Sequence, residues 1–210
     1  MKALCFVILT LMLSCGTAAA QDTQINDILF LTEPDSWEDC VRAEFLDHIT
    51  MGVYLRCPSY PFISGLEFGL SITGRTNTSL IPDFPVGPSP DLNWDTDQPG
   101  FVDIRLMFSS PLTATETLLL GTIDVFYLDA GELDFTLTAA SPSSLAAPAP
   151  LYVGDPGRNL VPLARSPLAD PPDFVVNGDC GSPWNAVIGY ICGPLPDHQM
   201  SWGAVKSLYR

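Results

Sequence analysis

Every second side chain is apolar along four stretches of the chain. Ile49, Met51, Val53 and Leu55 alternate with Thr50, Gly52, Tyr54 and Arg56, and Leu66, Phe68, Leu70 and Ile72 alternate with Gly65, Glu67, Gly69 and Ser71. Val102, Ile104, Leu106 and Phe108 alternate with Phe101, Asp103, Arg105 and Met107; Leu133, Phe135 and Leu137 alternate with Glu132, Asp134, Thr136 and Thr138. A period of two predicts β-strands with one face on a core and the other in water. The stretch 121–128 is apolar at more positions and reads as a central strand. Asp129-Ala130-Gly131 after it reads as a three-residue hairpin turn, with Gly131 free to take φ > 0. Residues 28–31 give a first strand, and 152–153, 160–163 and 174–176 give shorter ones. One or two helical turns fit residues 35–45, with Ser36 as cap.

Prolines punctuate the pattern. Pro82, Pro85, Pro88 and Pro90 fall in one connection, and Pro142, Pro148, Pro150 and Pro156 in another. Proline has no amide donor, so these segments are loops or sheet edges. Many short alternating strands, no long helix and no internal repeat predict an all-β antiparallel sandwich. The chain ends differently. Gly193-Pro194-Leu195-Pro196 breaks the pattern, and Ser201 then caps a short helix with Trp202, Val205 and Leu208 on one side. Lys206 and Arg210 lie near its C-terminus, which suits the helix dipole.

The opposite end reads as an export signal. Lys2 precedes an apolar run from Ala3 to Leu13, and Ala18-Ala19-Ala20 is a small-residue cleavage site. The run is too short to cross a bilayer as a helix, and no later segment is long enough. The expected organisation is a signal peptide over 1–20, a β-sandwich over 21–192, and a linker with a short helical tail over 193–210. A minor alternative acylates Cys15 through a lipobox-like Leu13-Ser14-Cys15, which turns a secreted protein into an anchored one. Lys2 is one of the 9 basic residues, so the mature chain has 8 against 24 acids, a formal charge of −16. That charge excludes a nucleic-acid partner and adsorption to anionic lipid.

Four cysteines lie outside the signal: Cys40, Cys57, Cys180 and Cys192. An even number in an exported chain predicts disulfides, and three pairings are possible. Proximity along the chain favours Cys40 with Cys57 and Cys180 with Cys192. Their spacing does not suit zinc.

Two parts of the chain resemble known families. Ile63-Ser64-Gly65-Leu66-Glu67-Phe68-Gly69-Leu70-Ser71, followed by a hairpin over 119–137, is similar to the strand order of cohesin-like modules. The tyrosine, aspartate and proline that follow the first of those strands in cohesins are replaced here by Ile72-Thr73-Gly74-Arg75, so dockerin binding is not carried over. A second resemblance, over roughly 26–180, is to uncharacterised secreted proteins of Gram-negative bacteria. It rests on an early strand, the Gly65–Phe68 segment and Val176-Asn177-Gly178-Asp179-Cys180. The chain's last ten residues also resemble endings found on varied secreted proteins, which suits a sorting tag. These resemblances imply a sandwich of cohesin-like or carbohydrate-binding-like jelly-roll architecture.

Candidate chemistry is sparse. His48 and His198 have no Gly-x-Ser-x-Gly elbow to serve. Glu33, Asp35, Glu38 and Asp39 offer carboxylates for a hydrolase, with a solvated acidic loop as the plainer reading. Asp91, Asn93, Asp95 and Asp97 present oxygens on alternate residues, as a calcium loop does, without the expected glycine or final bidentate acid. Trp37, Tyr54 and Trp94 are candidates for a sugar-stacking or other ligand-binding platform, with Tyr54 predicted outward. Asn77-Thr78-Ser79 fits a glycosylation acceptor. The leading expectation is an exported, non-catalytic binding or surface protein for an unidentified protein or glycan. A carbohydrate-binding module is the alternative, and a secreted acidic hydrolase ranks below both. No cofactor is expected other than calcium.

Overall fold

In the computed structural model, residues 27–86, 100–165, 172–178 and 180 are described. The twelve strands of this part are β1 (Ile28–Thr32), β2 (Cys40–Val41), β3 (His48–Arg56), β4 (Phe62–Thr73), β5 (Ser79–Asp83) and β6 (Phe101–Thr113), then β7 (Thr117–Phe126), β8 (Leu133–Thr138), β9 (Leu151–Asp155), β10 (Asn159–Pro162), β11 (Ala164–Arg165) and β12 (Phe174–Val176). The described residues contain no helix, so the predicted all-β class holds. The helical turns expected over 35–45 are replaced by a turn and the short strand β2. The segments read as a signal peptide (1–20) and as a C-terminal tail (193–210) lie outside the described residues.

One sheet has the order β11-β1-β3-β7-β5; the other runs β10-β9-β4-β8-β12-β2, with β6 on the far side of β4. β4 organises the second sheet. Along one edge it pairs with β9 through its first half and β8 through its second; along the other it pairs with β6. The alternation read from the sequence faces inward as expected. Met51, Val53 and Leu55 of β3 and Ile123 and Val125 of β7 meet Phe68 and Leu70 of β4, Ile104 of β6 and Phe135 of β8 in one core. Phe135 and Phe174 pack edge-on, with centroids 6.1 Å apart.

Two bulges re-phase the strands. β7 carries one extra residue opposite Val53 and Tyr54, so Leu120 joins the core and Leu119 turns outward. β4 shifts register between Ile63 and Gly65, which keeps both Ile63 and Leu66 inside. Pro82 lies in β5, at the edge of its sheet, where a missing amide costs no ladder bond.

The segment Asp129-Ala130-Gly131 is not a hairpin. β7 pairs with β3 and β5, and β8 pairs with β4 and β12, so this segment crosses between the sheets. The left-handed glycines of the described part are Gly74 and Gly157 rather than Gly131. Asp129 is buried and receives the amides of Thr76, Asn77 and Thr78 at 3.1, 2.9 and 3.0 Å. These bonds tie the crossover to the β4–β5 loop. A Cβ on Gly74 would lie 2.1 Å from the Glu132 carbonyl, so only glycine fits there.

The favoured cysteine pairing is also corrected. Cys40 is bonded to Cys180, with Cα atoms 5.6 Å apart and a sequence separation of 140. The reason is topological. β2 and β12 lie side by side in parallel, with Cys40 opposite Val175, which brings Cys40 beside a strand that ends a few residues before Cys180. Cys57 is disulfide-bonded too.

Candidate binding surface

The outward face of the second sheet is nearly bare along β4. Its outward positions after the bulge are Gly65, Glu67, Gly69 and Ser71, opposite Met107, Arg105, Asp103 and Phe101 of β6. A Cβ on Gly65 would meet the Met107 sulfur at 2.6 Å, and one on Gly69 would meet Phe101 and Thr138 at 2.7 Å. Glycine at both positions lets neighbouring side chains lie across the β4 backbone.

Three charged residues predicted to face water are covered at one end of this furrow. Glu67, 6% exposed, receives the amide of Ser144 at 2.8 Å and also its hydroxyl. Asp103, 3% exposed, receives the amide of Ser141 at 2.8 Å, and Arg105 donates to the Pro142 carbonyl at 2.6 Å. Arg105 also lies 3.9 Å from Glu67 and 4.0 Å from Asp103. The Ser- and Pro-rich connection after β8 is thereby strapped over the sheet. Polar groups that alternation assigns to solvent find partners here instead.

Beyond the strap the face stays open. Met107, Gly65, Val153 and Leu160 lie opposite one another on β6, β4, β9 and β10, forming an apolar row across four strands. Met107 is 45% exposed and Leu160 47%. Met107, Val153 and Leu160 line a cavity of about 210 Å3 bounded at one end by Glu67, Arg105 and Ser144. That is less than the ~300 Å3 at which small-molecule clefts begin. It is ample for a phenyl ring, since an apolar cavity of about 150 Å3 accepts benzene.

The structure brings together two of the three aromatic candidates. Trp37, at φ 61°, lies over Tyr54 with centroids 4.9 Å apart, and Tyr54 stacks on Phe30 at 5.4 Å. Tyr54 does point away from the main core, as predicted, yet it is only 5% exposed. With Ile28 and Phe30 it forms a satellite core capped by Trp37. The rings are not a flat, open platform: Trp37 is tilted 45° and the two beneath it are buried. Trp94 and the whole series Asp91, Asn93, Asp95 and Asp97 lie outside the described residues, as do His198 and Cys192.

The acidic loop is chiefly architectural. The Glu33 carboxylate accepts the amides of Asp35 and Ser36 at 2.9 and 2.6 Å, shaping the turn that presents Trp37. Burial, with Asp173 and Glu38 nearby, raises the Asp39 carboxyl to about 6. His48 is exposed, stacks on Phe126 with centroids 4.6 Å apart, and meets Asp124 at 2.8 Å. Asp27 is buried at the start of β1, where it receives the Ser59 amide and hydroxyl and the Tyr152 hydroxyl. Burial raises its pKa, and those donors partly oppose the rise. The apolar row escaped the sequence reading because its members belong to four strands. Only register brings them together.

No family model and no curated protein matches the chain. Among solved structures, the chain is similar to a type II cohesin domain from the cellulosome of Acetivibrio cellulolyticus: 11% identity, 73% of this chain, 96% of that one, TM-score 0.49. The sixth cohesin of that organism's scaffoldin B, solved with a Cel5 dockerin mutant, gives 15% identity, 72% and 97% coverage, and TM-score 0.48. The second type II cohesin module of its ScaA scaffoldin gives 13%, 66%, 91% and 0.45.

Proposed function

We propose that this chain is an exported, non-catalytic binding module that meets a protein partner through the outer face of its second sheet. The observation that carries this reading is the apolar row of Met107, Gly65, Val153 and Leu160, whose ends Met107 and Leu160 stand exposed beside a cavity of about 210 Å3. Large exposed side chains aligned on one face, beside a rim of fixed polar groups, suit a protein contact with a central anchor. The two buried rings beneath Trp37, Tyr54 and Phe30, argue against the glycan alternative, which needs open ring faces.

The test is capture of proteins from the producing cells' medium on immobilised wild type, followed by cross-link mapping. Partners should cross-link beside the row, and Leu160→Asp or Met107→Asp should abolish capture without changing the circular dichroism spectrum. Equal capture by those variants would defeat the reading.

A further inference from the structure

The loop joining β2 to β3 is locked by a dipeptide with a chemistry of its own. The chain has one Asn-Gly pair, Asn177-Gly178, and it follows β12 directly. Packing dictates both residues. The Asn177 amide donates to the Val41 carbonyl at 2.9 Å, and its carboxamide holds both backbone groups of Ala43. Its left-handed φ of 61° suits asparagine. Gly178 is buried, and a Cβ there would run into the Glu132 carboxylate and the Val175 side chain. The loop itself is open to solvent: Arg42, Glu44, Phe45, Leu46 and Asp47 are exposed. Its far half is tied to β7's end, where the Leu46 amide donates to the Tyr127 carbonyl and the Tyr127 amide to the Asp47 carbonyl, each at 2.9 Å. Its near half depends on Asn177.

Asparagine followed by glycine is prone to react with itself, because no Cβ on the second residue hinders its amide nitrogen. The Gly178 nitrogen gives its proton to hydroxide and bonds to the Asn177 carboxamide carbon. The side-chain nitrogen takes up a proton and leaves as ammonia, which closes a succinimide ring. Water then opens the ring at either carbonyl, leaving aspartate or isoaspartate at 177. No oxidant or reductant is needed. In the fold, both polar atoms of the carboxamide are engaged by Ala43, so the carbon is reached only after two hydrogen bonds break. We propose that Asn177-Gly178 is a site of slow self-deamidation, gated by release of Ala43, and that the product cannot relock the loop. Either acid lacks the Nδ2 donor, so the Ala43 carbonyl loses its partner and faces a carboxylate. The change runs one way. Each molecule passes once from a locked loop to an open one, at a rate set by how often Ala43 lets go.

The test incubates the full chain in mildly alkaline buffer, folded and in urea, and follows residue 177 by peptide mass and isoaspartate detection. Two neutral hydrogen bonds should hold the folded chain about tenfold to a hundredfold behind the unfolded one. Equal rates, or no conversion in the folded chain, overturn the gated site. Trypsin then reads the lock at the bond between Arg42 and Ala43. Cleavage there should quicken about tenfold in Asn177→Asp, and in aged wild type in proportion to the fraction converted, because proteolysis tracks the open population. Aged wild type that is cut no faster than fresh protein overturns the unlocking, whether or not the variant folds.

Discussion

The carboxamide of Asn177 receives the amide of Ala43 at 2.9 Å and donates to the Ala43 carbonyl at 2.8 Å, joining residues 134 apart in sequence. Asn177 takes a left-handed φ of 61°, which asparagine tolerates better than most residues. Asn177→Ala leaves two backbone groups without their partner and places alanine in a disfavoured conformation. The expected loss is about 2–3 kcal/mol by urea unfolding. A loss below about 0.5 kcal/mol would mean that water replaces the carboxamide.

Non-reducing peptide mapping should recover Cys40 linked to Cys180, and Cys57 linked to Cys192, the cysteine left for it if the expected signal peptide is removed. Breaking the first bond by Cys40→Ala with Cys180→Ala should cost about 5 kcal/mol in the loop-entropy model. Recovery of Cys57 linked to Cys40 would refute the pairing.

Asp39 makes the fold more stable in mild acid. Its folded pKa is raised from 3.8 to about 6 by burial, with Asp173 and Glu38 adding to the rise. Between those values the folded state binds more proton than the unfolded state, so this contribution falls as pH rises from about 4 to 6. Asp39→Asn should therefore gain about 1–3 kcal/mol over wild type at pH 7, and nothing at pH 3.5. A gain that does not depend on pH would show that packing, not ionisation, is responsible.

Asp129 works in the other direction. Burial pushes its pKa up, but the Thr78 hydroxyl and the amides of Thr76, Thr78 and Asn77 outweigh that and hold it below the usual 3.8. Its contribution is present above that pH and lost as the carboxylate protonates. Asp129→Ala should cost about 2–4 kcal/mol at pH 7, from several amides left unpaired. The deficit should shrink on acidification below pH 3.8, as measured by urea midpoints across pH.

The alternation of apolar residues was enough to find the core strands, because burial of one sheet face imposes a period of two on the sequence. It placed β1, β3, β4, β8 and β12 close to their observed bounds and found the first eight residues of β6, which continues to Thr113. It missed β2, which is two residues long and has no period to detect. It also misread Asp129-Ala130-Gly131, because a turn between strands looks alike whether they pair or change sheets. Of the candidate site, Gly65 and Met107 stood in the alternating pattern, but nothing local linked them to Val153 and Leu160. The disulfide partner of Cys40 was hidden for the same reason: a parallel pair of short strands brings together residues far apart in the chain. Glu67 and Asp103 looked solvated because the strap that covers them carries no hydrophobic signal.

The bond between Cys40 and Cys180 also decides how the domain meets tension. A pull applied through the two ends of the chain crosses from one side to the other at that covalent link, so the enclosed residues carry little of the load. β1 precedes Cys40 and is left outside the loop. Under force it is the strand that would peel from β3, while the sheet containing β4 stays intact. A molecule held at both ends would lengthen by a short, fixed step and then resist, as a tether does rather than a spring.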